Sequence, residues 1–137
     1  MLTLEVITPK KVMLTADVQQ VTLPGELGEL GILPGHIRIL TSLKSGLLTY
    51  QSGSQTEVLA VHFGFAEVNQ NHVTVLAHSA ETLSELDAQE INKESEELTD
   101  RLAKADPTSA EAADLYRQLS QVETKQKVLS FGTPLHH

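Results

Sequence analysis

No cysteine and no tryptophan occur among the 137 residues of this chain. The first absence excludes a disulfide framework, a thiolate metal centre and a cysteine nucleophile, and it is compatible with a reducing compartment. The second, with only 4% aromatic residues, leaves little from which to build a sugar-stacking surface. Basic side chains are scarce as well: 10 Lys and Arg stand against 18 Asp and Glu, a formal net charge of −8 with no basic cluster to offset it. Nucleic acid and an anionic bilayer are therefore repelled overall. No stretch approaches the roughly 20 apolar residues of a membrane-spanning helix. The opening Met1-Leu2-Thr3-Leu4-Glu5-Val6 has no basic leader before a long apolar run, so no signal peptide is expected and the chain is predicted to work on the cytosolic side. The closing His136-His137 carries no weight in this reading.

What is present divides into two grammars, enough for one ordinary domain or a small domain with an appendage. From Leu2 to about Thr82 the apolar period is two: Leu2, Leu4 and Val6 alternate with Thr3 and Glu5, and Val73, Val75 and Ala77 with Thr74, Leu76 and His78. Val58-Leu59-Ala60-Val61 form a short continuous apolar run. Turn signals such as Leu23-Pro24-Gly25, Leu33-Pro34-Gly35 and Gln51-Ser52-Gly53 punctuate the sequence. Their spacing predicts a β-sandwich or barrel of about eight to ten short antiparallel strands, each about five to eight residues long. After Leu86 the steps become three and four. Ala88, Ile91, Ser95, Leu98, Leu102 and Ala105 make one narrow stripe, and Ala112, Leu115, Leu119, Val122, Gln126 and Leu129 another. Asp87 with Glu90 and Thr108 with Glu111 have the form of capping boxes, and Asp106-Pro107 separates the two helices. The expected organisation is a sandwich over 1–86 and a C-terminal α-helical hairpin over 87–137. Stripes this weak make a hairpin that is marginal alone, able to rest on the sandwich or leave it. Straightened, residues 88–130 would reach roughly 60 Å.

There is little catalytic apparatus. Gly25, Gly28 and Gly31 repeat every third residue and Gly35 follows, but Glu26 and Glu29 beside them repel phosphate, and no Gly-Lys-Ser/Thr opens a helix. These glycines are read as turn formers. His62, His72 and His78 lie in strand-like sequence without the carboxylate company of a zinc site, and are expected as surface or sheet-edge residues. No Gly-x-Ser-x-Gly or His-Glu-x-x-His occurs. Glu94, Glu96, Glu97 and Asp100 beside Lys93, Arg101 and Lys104 read as a solvated helix face, with Glu97 to Arg101 and Asp100 to Lys104 at pairing distance. A protein that binds partners, with no metal and no cofactor, fits this inventory.

The segment Gly28-Glu29-Leu30-Gly31-Ile32-Leu33-Pro34-Gly35-His36, continuing to Leu40-Thr41-Ser42-Leu43-Lys44-Ser45-Gly46, resembles the signature loop of the epsilon subunit of F-type ATP synthases. Phe63-Gly64-Phe65-Ala66-Glu67-Val68 and Val73-Thr74-Val75-Leu76-Ala77 resemble the same family further along. The resemblance implies a ten-stranded β-sandwich with a helical hairpin at the foot of the rotary stalk. Such a subunit catalyses nothing, binds the gamma subunit, sits against the membrane ring of c subunits and helps couple proton or sodium flow to ATP synthesis. By matching position, Glu29 faces the c ring, and His36 and Thr41 face gamma; without the resemblance Glu29 is a solvated turn charge and His36 a residue after Pro-Gly. In many bacterial members the hairpin extends into the catalytic head of alpha and beta subunits and suppresses ATP hydrolysis. Arg117, Lys125 and Lys127 are the candidates here for that contact, diluted by Glu111, Asp114 and Glu123. Some members bind ATP through Ile or Leu, Asp, two residues, Arg and Ala. The corresponding Leu86-Asp87-Ala88-Gln89-Glu90-Ile91 puts Glu90 where the Arg belongs, and the phosphate contact is reversed in sign. The competing readings are a free-standing β-sandwich ligand-binding module with a helical oligomerisation tail and, third, an enzyme.

Overall fold

The computed structural model describes residues 1–132; His136 and His137 lie outside them. Eight strands precede two helices: β1 (Leu2–Ile7), β2 (Val12–Val18), β3 (Gln20–Gly25), β4 (Gly28–Ile32), β5 (Ile39–Leu43), β6 (Gly46–Ser52), β7 (Gln55–Asn69), β8 (His72–Thr82), α1 (Ala88–Lys104) and α2 (Ala110–Gly132). Eight is the lower end of the eight to ten expected from the turn spacing, and fewer than the ten that the family resemblance implies, because β7 and β8, 15 and 11 residues long, each serve both layers of the sandwich. The first half of β7 pairs with β6 and its second half with β5, while β8 follows β7 in one register from Leu59↔Thr82 to Asn69↔His72. The ribbon turns its corner at Lys44-Ser45, between β5 and β6, and at Phe63-Gly64 in β7, where φ is 61° and 117°. Gly64 is required there: a Cβ would lie 2.0 Å from the Leu76 carbonyl oxygen, and a positive φ suits glycine.

One layer is thus β2, β1, the first half of β8, the second half of β7, and β5; the other is the remaining halves with β6, β3 and β4. Pairing is antiparallel as expected except between β1 and β8, which run parallel in the register Leu4↔Val73 and Val6↔Val75. These strands are far apart in sequence, so no tight hairpin constrains their direction. Both layers feed one core of Leu2, Leu4, Val6, Val21, Leu23, Ile32, Leu48, Val61, Val68 and Val75, all essentially solvent-free. The alternation Leu2, Leu4, Val6 is the inward face of β1, as a period of two requires.

The helices form the expected hairpin, but their faces differ from the simple stripes. Ile91, Leu98, Leu115 and Val122 make the buried seam, flanked by Leu86, Leu102, Ala105, Leu119 and Leu129. Gln126, an interruption in the stripe, donates to Asn92 Oδ1 across the hairpin at 3.2 Å. α2 has a second buried face, Thr124 and Val128, that the stripe does not contain. The cause is position, for α2 lies between α1 and the sheet and is covered on two sides. Asp87 caps α1 by accepting from the Gln89 and Glu90 amides at 2.9 and 3.2 Å. The cap of α2 is Ser109, whose Oγ accepts from the Ala112 amide at 3.0 Å, rather than the expected Thr108. Thr108 instead gives its amide and hydroxyl to Asp106, which holds that carboxyl below the usual carboxylate range.

Candidate functional site

Three surfaces stand out: the signature loop, the outer face of the β5 layer, and the seat of the hairpin. In the first, β3 and β4 pair from Val21↔Ile32 to Gly25↔Gly28 and present Glu26-Leu27 at their tip. The Glu26 amide donates to the Ser42 carbonyl and the Lys44 amide to the Pro24 carbonyl, at 2.9 and 3.0 Å, tying the tip to the corner. Leu27 is wholly exposed. Glu29 is exposed and lines a cleft between the sandwich and α2 with Lys44, Ser120, Glu123 and Lys127. His36 is half-buried in the loop after β4; its ring Nδ1 donates to the Ile37 carbonyl at 2.8 Å, and the neighbouring Gly35 amide donates to Asn71 Oδ1, also at 2.8 Å. Thr41 sits in β5 opposite Ala66, half-buried and of the same strand parity as Ile39 and Leu43, which pack towards the core. The structure therefore does not gather Glu29, His36 and Thr41 into one patch: Glu29 faces α2, and His36 lies beside the β7–β8 turn.

The second surface was not legible as a site. Outward parity on β5, β7 and β8 brings Leu40, Phe65 and Leu76 together, 72%, 52% and 51% exposed. Phe65 and Leu76 are cross-strand partners, Ser42 is the neighbour of Phe65 on β5, and Ile7 that of Leu76 on β1. Leu40 stands diagonal to Phe65, within reach on a pleated face, and Glu67 with Glu5 on the adjoining row gives the patch an acidic edge. Alternation was visible in sequence, but the side facing water was not, because both parities of β7 carry apolar residues. Its first half is buried on both faces, Val58 to His62, under α2; its second half is bare outside.

The hairpin seat joins Val128 of α2 to Val58 and Ala60 of β7, with Leu47, Leu83 and Leu86 around them. Beside this apolar contact lie the three buried polar side chains among the described residues, Ser45, His62 and Thr124. His62 is 1% exposed, which corrects the expectation of a surface or edge residue; His72 and His78 are exposed on one face of β8. His62 Nε2 lies 2.7 Å from Glu81 Oε1, and Nδ1 2.8 Å from Ser45 Oγ, which is 2.9 Å from Thr124 Oγ1. The helix-face pairs Glu97 to Arg101 and Asp100 to Lys104 are not formed; the close contacts of this kind among the described residues are His62 with Glu81, an ion pair only when the imidazole is protonated, and Arg117 with Asp114 at 3.5 Å. Both partners of the second are well exposed. Arg117, Lys125 and Lys127 are likewise dispersed: Lys125 lines a cleft walled by Glu81, Glu85, Glu90, Glu94 and Glu97, Lys127 the cleft of Glu29. Thr82 donates its amide and hydroxyl to the Glu85 carboxylate and so lowers its pKa. Among the described residues no group of three or more His, Asp and Glu is placed to hold a metal ion, and no helix is long and apolar enough to cross a membrane.

A family model for the ATP synthase delta/epsilon chain, β-sandwich domain, matches residues 1–83. The chain belongs to that family. Within it, the chain is 41% identical over 126 residues to the ATP synthase epsilon chain of Nitratidesulfovibrio vulgaris strain DP4, covering 89% of this chain and 93% of that relative. It is 33% identical over 131 residues to ATP synthase epsilon chain 2 of Syntrophotalea carbinolica, covering 96% and 95%. The fold is shared with a chain in the Euglena gracilis mitochondrial ATP synthase, OSCP/F1/c-ring, at a TM-score of 0.82 and 24% identity, over 93% of this chain and 81% of that one. Delta/epsilon chain relatives thus align with the helices as well as the sandwich. The ligand-module alternative is not favoured.

Proposed function

We propose that the chain is the epsilon subunit of an F-type ATP synthase, a non-catalytic rotor component attached peripherally at the cytoplasmic face of a bacterial energy-coupling membrane. The outer face of the β5 layer meets the gamma subunit, the β3–β4 tip with Glu29 meets the c-subunit ring, and the hairpin reaches the alpha and beta subunits when it leaves the sandwich. The carrying observation, beside family membership, is the unequal cover of β7: α2 seals the outside of one half, while Phe65, Leu76 and Leu40 stay bare on the other. Single exposed apolar residues are ordinary, but three on neighbouring strands form a patch that a partner would desolvate.

Rotor duty asks for stiffness rather than chemistry. The shared core and the two long strands that pass through the corner make the layers one body, and a close-packed interior transmits strain instead of absorbing it. Torque delivered at the β3–β4 tip would thereby reach the gamma face. Phe65→Glu is expected to weaken capture of a purified gamma subunit about tenfold or more, the size of losing a central aromatic contact. Unchanged far-ultraviolet circular dichroism would show the fold intact. Equal capture by the variant and the parent would exclude this face as the docking surface.

A further inference from the structure

We infer that Ser45, His62 and Thr124 form a polar latch that holds the hairpin on the sandwich, a device set by three residues outside the apolar seam. The argument begins with the weakness of the seat. Val128 is the buried apolar side chain that α2 contributes to it, and one fully buried side chain of this kind is worth only about 1.5–3 kcal/mol. Next to it the structure buries the three polar side chains noted above, all in one chain of hydrogen bonds. Burying such groups unpaired would be costly, and leaving one without a partner costs more than a made bond gains. Docking is thus favoured only where the three meet in register, and a slid or rotated α2 would strand them.

The geometry satisfies every member in either charge state of the imidazole. When it is neutral, Nε2–H donates to Glu81, the Ser45 hydroxyl donates to Nδ1, and the Thr124 hydroxyl donates to Ser45 Oγ or to the Ser120 carbonyl 3.0 Å away. When it is charged, Nδ1–H donates to Ser45 Oγ, the Ser45 hydroxyl to Thr124 Oγ1, and the Thr124 hydroxyl to the Ser120 carbonyl. The latch therefore keys on the presence of α2 and not on the protonation of His62. Ser45 stands at the β5–β6 break, opposite His62 at the corner of the ribbon, so the latch grips the sandwich where its two layers join. While it is closed, Lys125 and Lys127 lie in clefts with carboxylates of α1 and the sheet.

Hydrogen exchange of the full chain tests the latch. Ser45→Ala leaves Nδ1 of a buried histidine without its partner and is expected to raise exchange of the α2 amides about tenfold, with the β1 and β8 amides unchanged. Thr124→Val, of similar volume, is expected to raise it less. In the double variant Thr124→Val is expected to add nothing to Ser45→Ala, since coupled groups are not additive. Exchange in Ser45→Ala equal to the parent overturns the latch, as do strictly additive effects, which would mean two independent packing defects. The consequence for the enzyme rests on the proposed function and is read separately: in the reassembled complex Ser45→Ala is expected to hydrolyse ATP more slowly. Faster α2 exchange with unchanged hydrolysis supports the latch and removes the inhibitory role of the hairpin.

Discussion

At the scale of single residues the informative positions are those where a side chain has to answer to two neighbours. Glu29 is one. The sequence suggests a solvated charge in a Gly-flanked turn; the structure places it in β4 opposite Pro24, where it is exposed and shares a cleft with Lys44 and Lys127. Glu29→Lys places a third cation among those two and is expected to lower coupling between ion flow and ATP synthesis while leaving the sandwich folded. The structural cost is small, because exposed charge pairs contribute at most about 1 kcal/mol. Reconstituted vesicles give the measurement, and coupling equal to the parent would leave Glu29 an exposed strand residue with no docking role. His62 shows the limit of residue-level reading. A histidine in a strand is ordinarily exposed, and its burial follows from the β7 corner and from α2 covering it, two facts that no local window contains. Gly64 was legible only as part of a motif; the reason for it, the Leu76 carbonyl against its Cα, is a cross-strand contact.

At the scale of elements the two periods located strands and helices well. The α1 stripe, centred on Ile91 and Leu98, is the buried seam as expected. α2 was half read, since Val128 and Thr124 face the sheet off the stripe and the second burial blurs a single periodicity. The eight strands are the lower end of the expected eight to ten, because turn chemistry marks where the chain bends, and β7 bends at Phe63-Gly64 without ending. α1 carries its own prediction. Glu90 and Glu94 lie four apart on it and line one cleft with Glu81, Glu85, Asp87 and Glu97, with Lys93 and Lys125 as the cations. A triphosphate entering there would meet mostly carboxylates, and a lysine lacks the planar fork with which an arginine grips phosphate. The chain is therefore expected to show no saturable heat with Mg-ATP in the low micromolar range by isothermal calorimetry. Micromolar binding would mean that Arg101, Lys104 or Arg117 builds a site elsewhere.

At the scale of the molecule the question is which part holds the other. Every member of the main core cluster lies between Leu2 and Ala77, and its partly buried neighbours end at Ala80, so no helix residue completes it. The hairpin core and the seat are separate clusters. A chain ending at Leu86 is accordingly expected to fold as an all-β protein and to keep its grip on gamma, because Leu40, Phe65 and Leu76 lie on the layer that α2 does not cover. The loss is confined to the seat, where Val58, Ala60 and His62 become exposed on the outside of β7. Removing their cover is expected to cost a few kcal/mol, about 25 cal/mol per Å² of apolar surface returned to water, and to make the shortened chain more prone to associate through the bared strands. Circular dichroism, thermal melting and titration with gamma read all three quantities. A sheet spectrum, a lowered but cooperative melting transition and parental affinity for gamma are expected. A disordered chain would show that α2 is part of the sandwich's own stability, and a folded chain with weakened gamma affinity would move the docking surface from the outer face of the β5 layer to the helices.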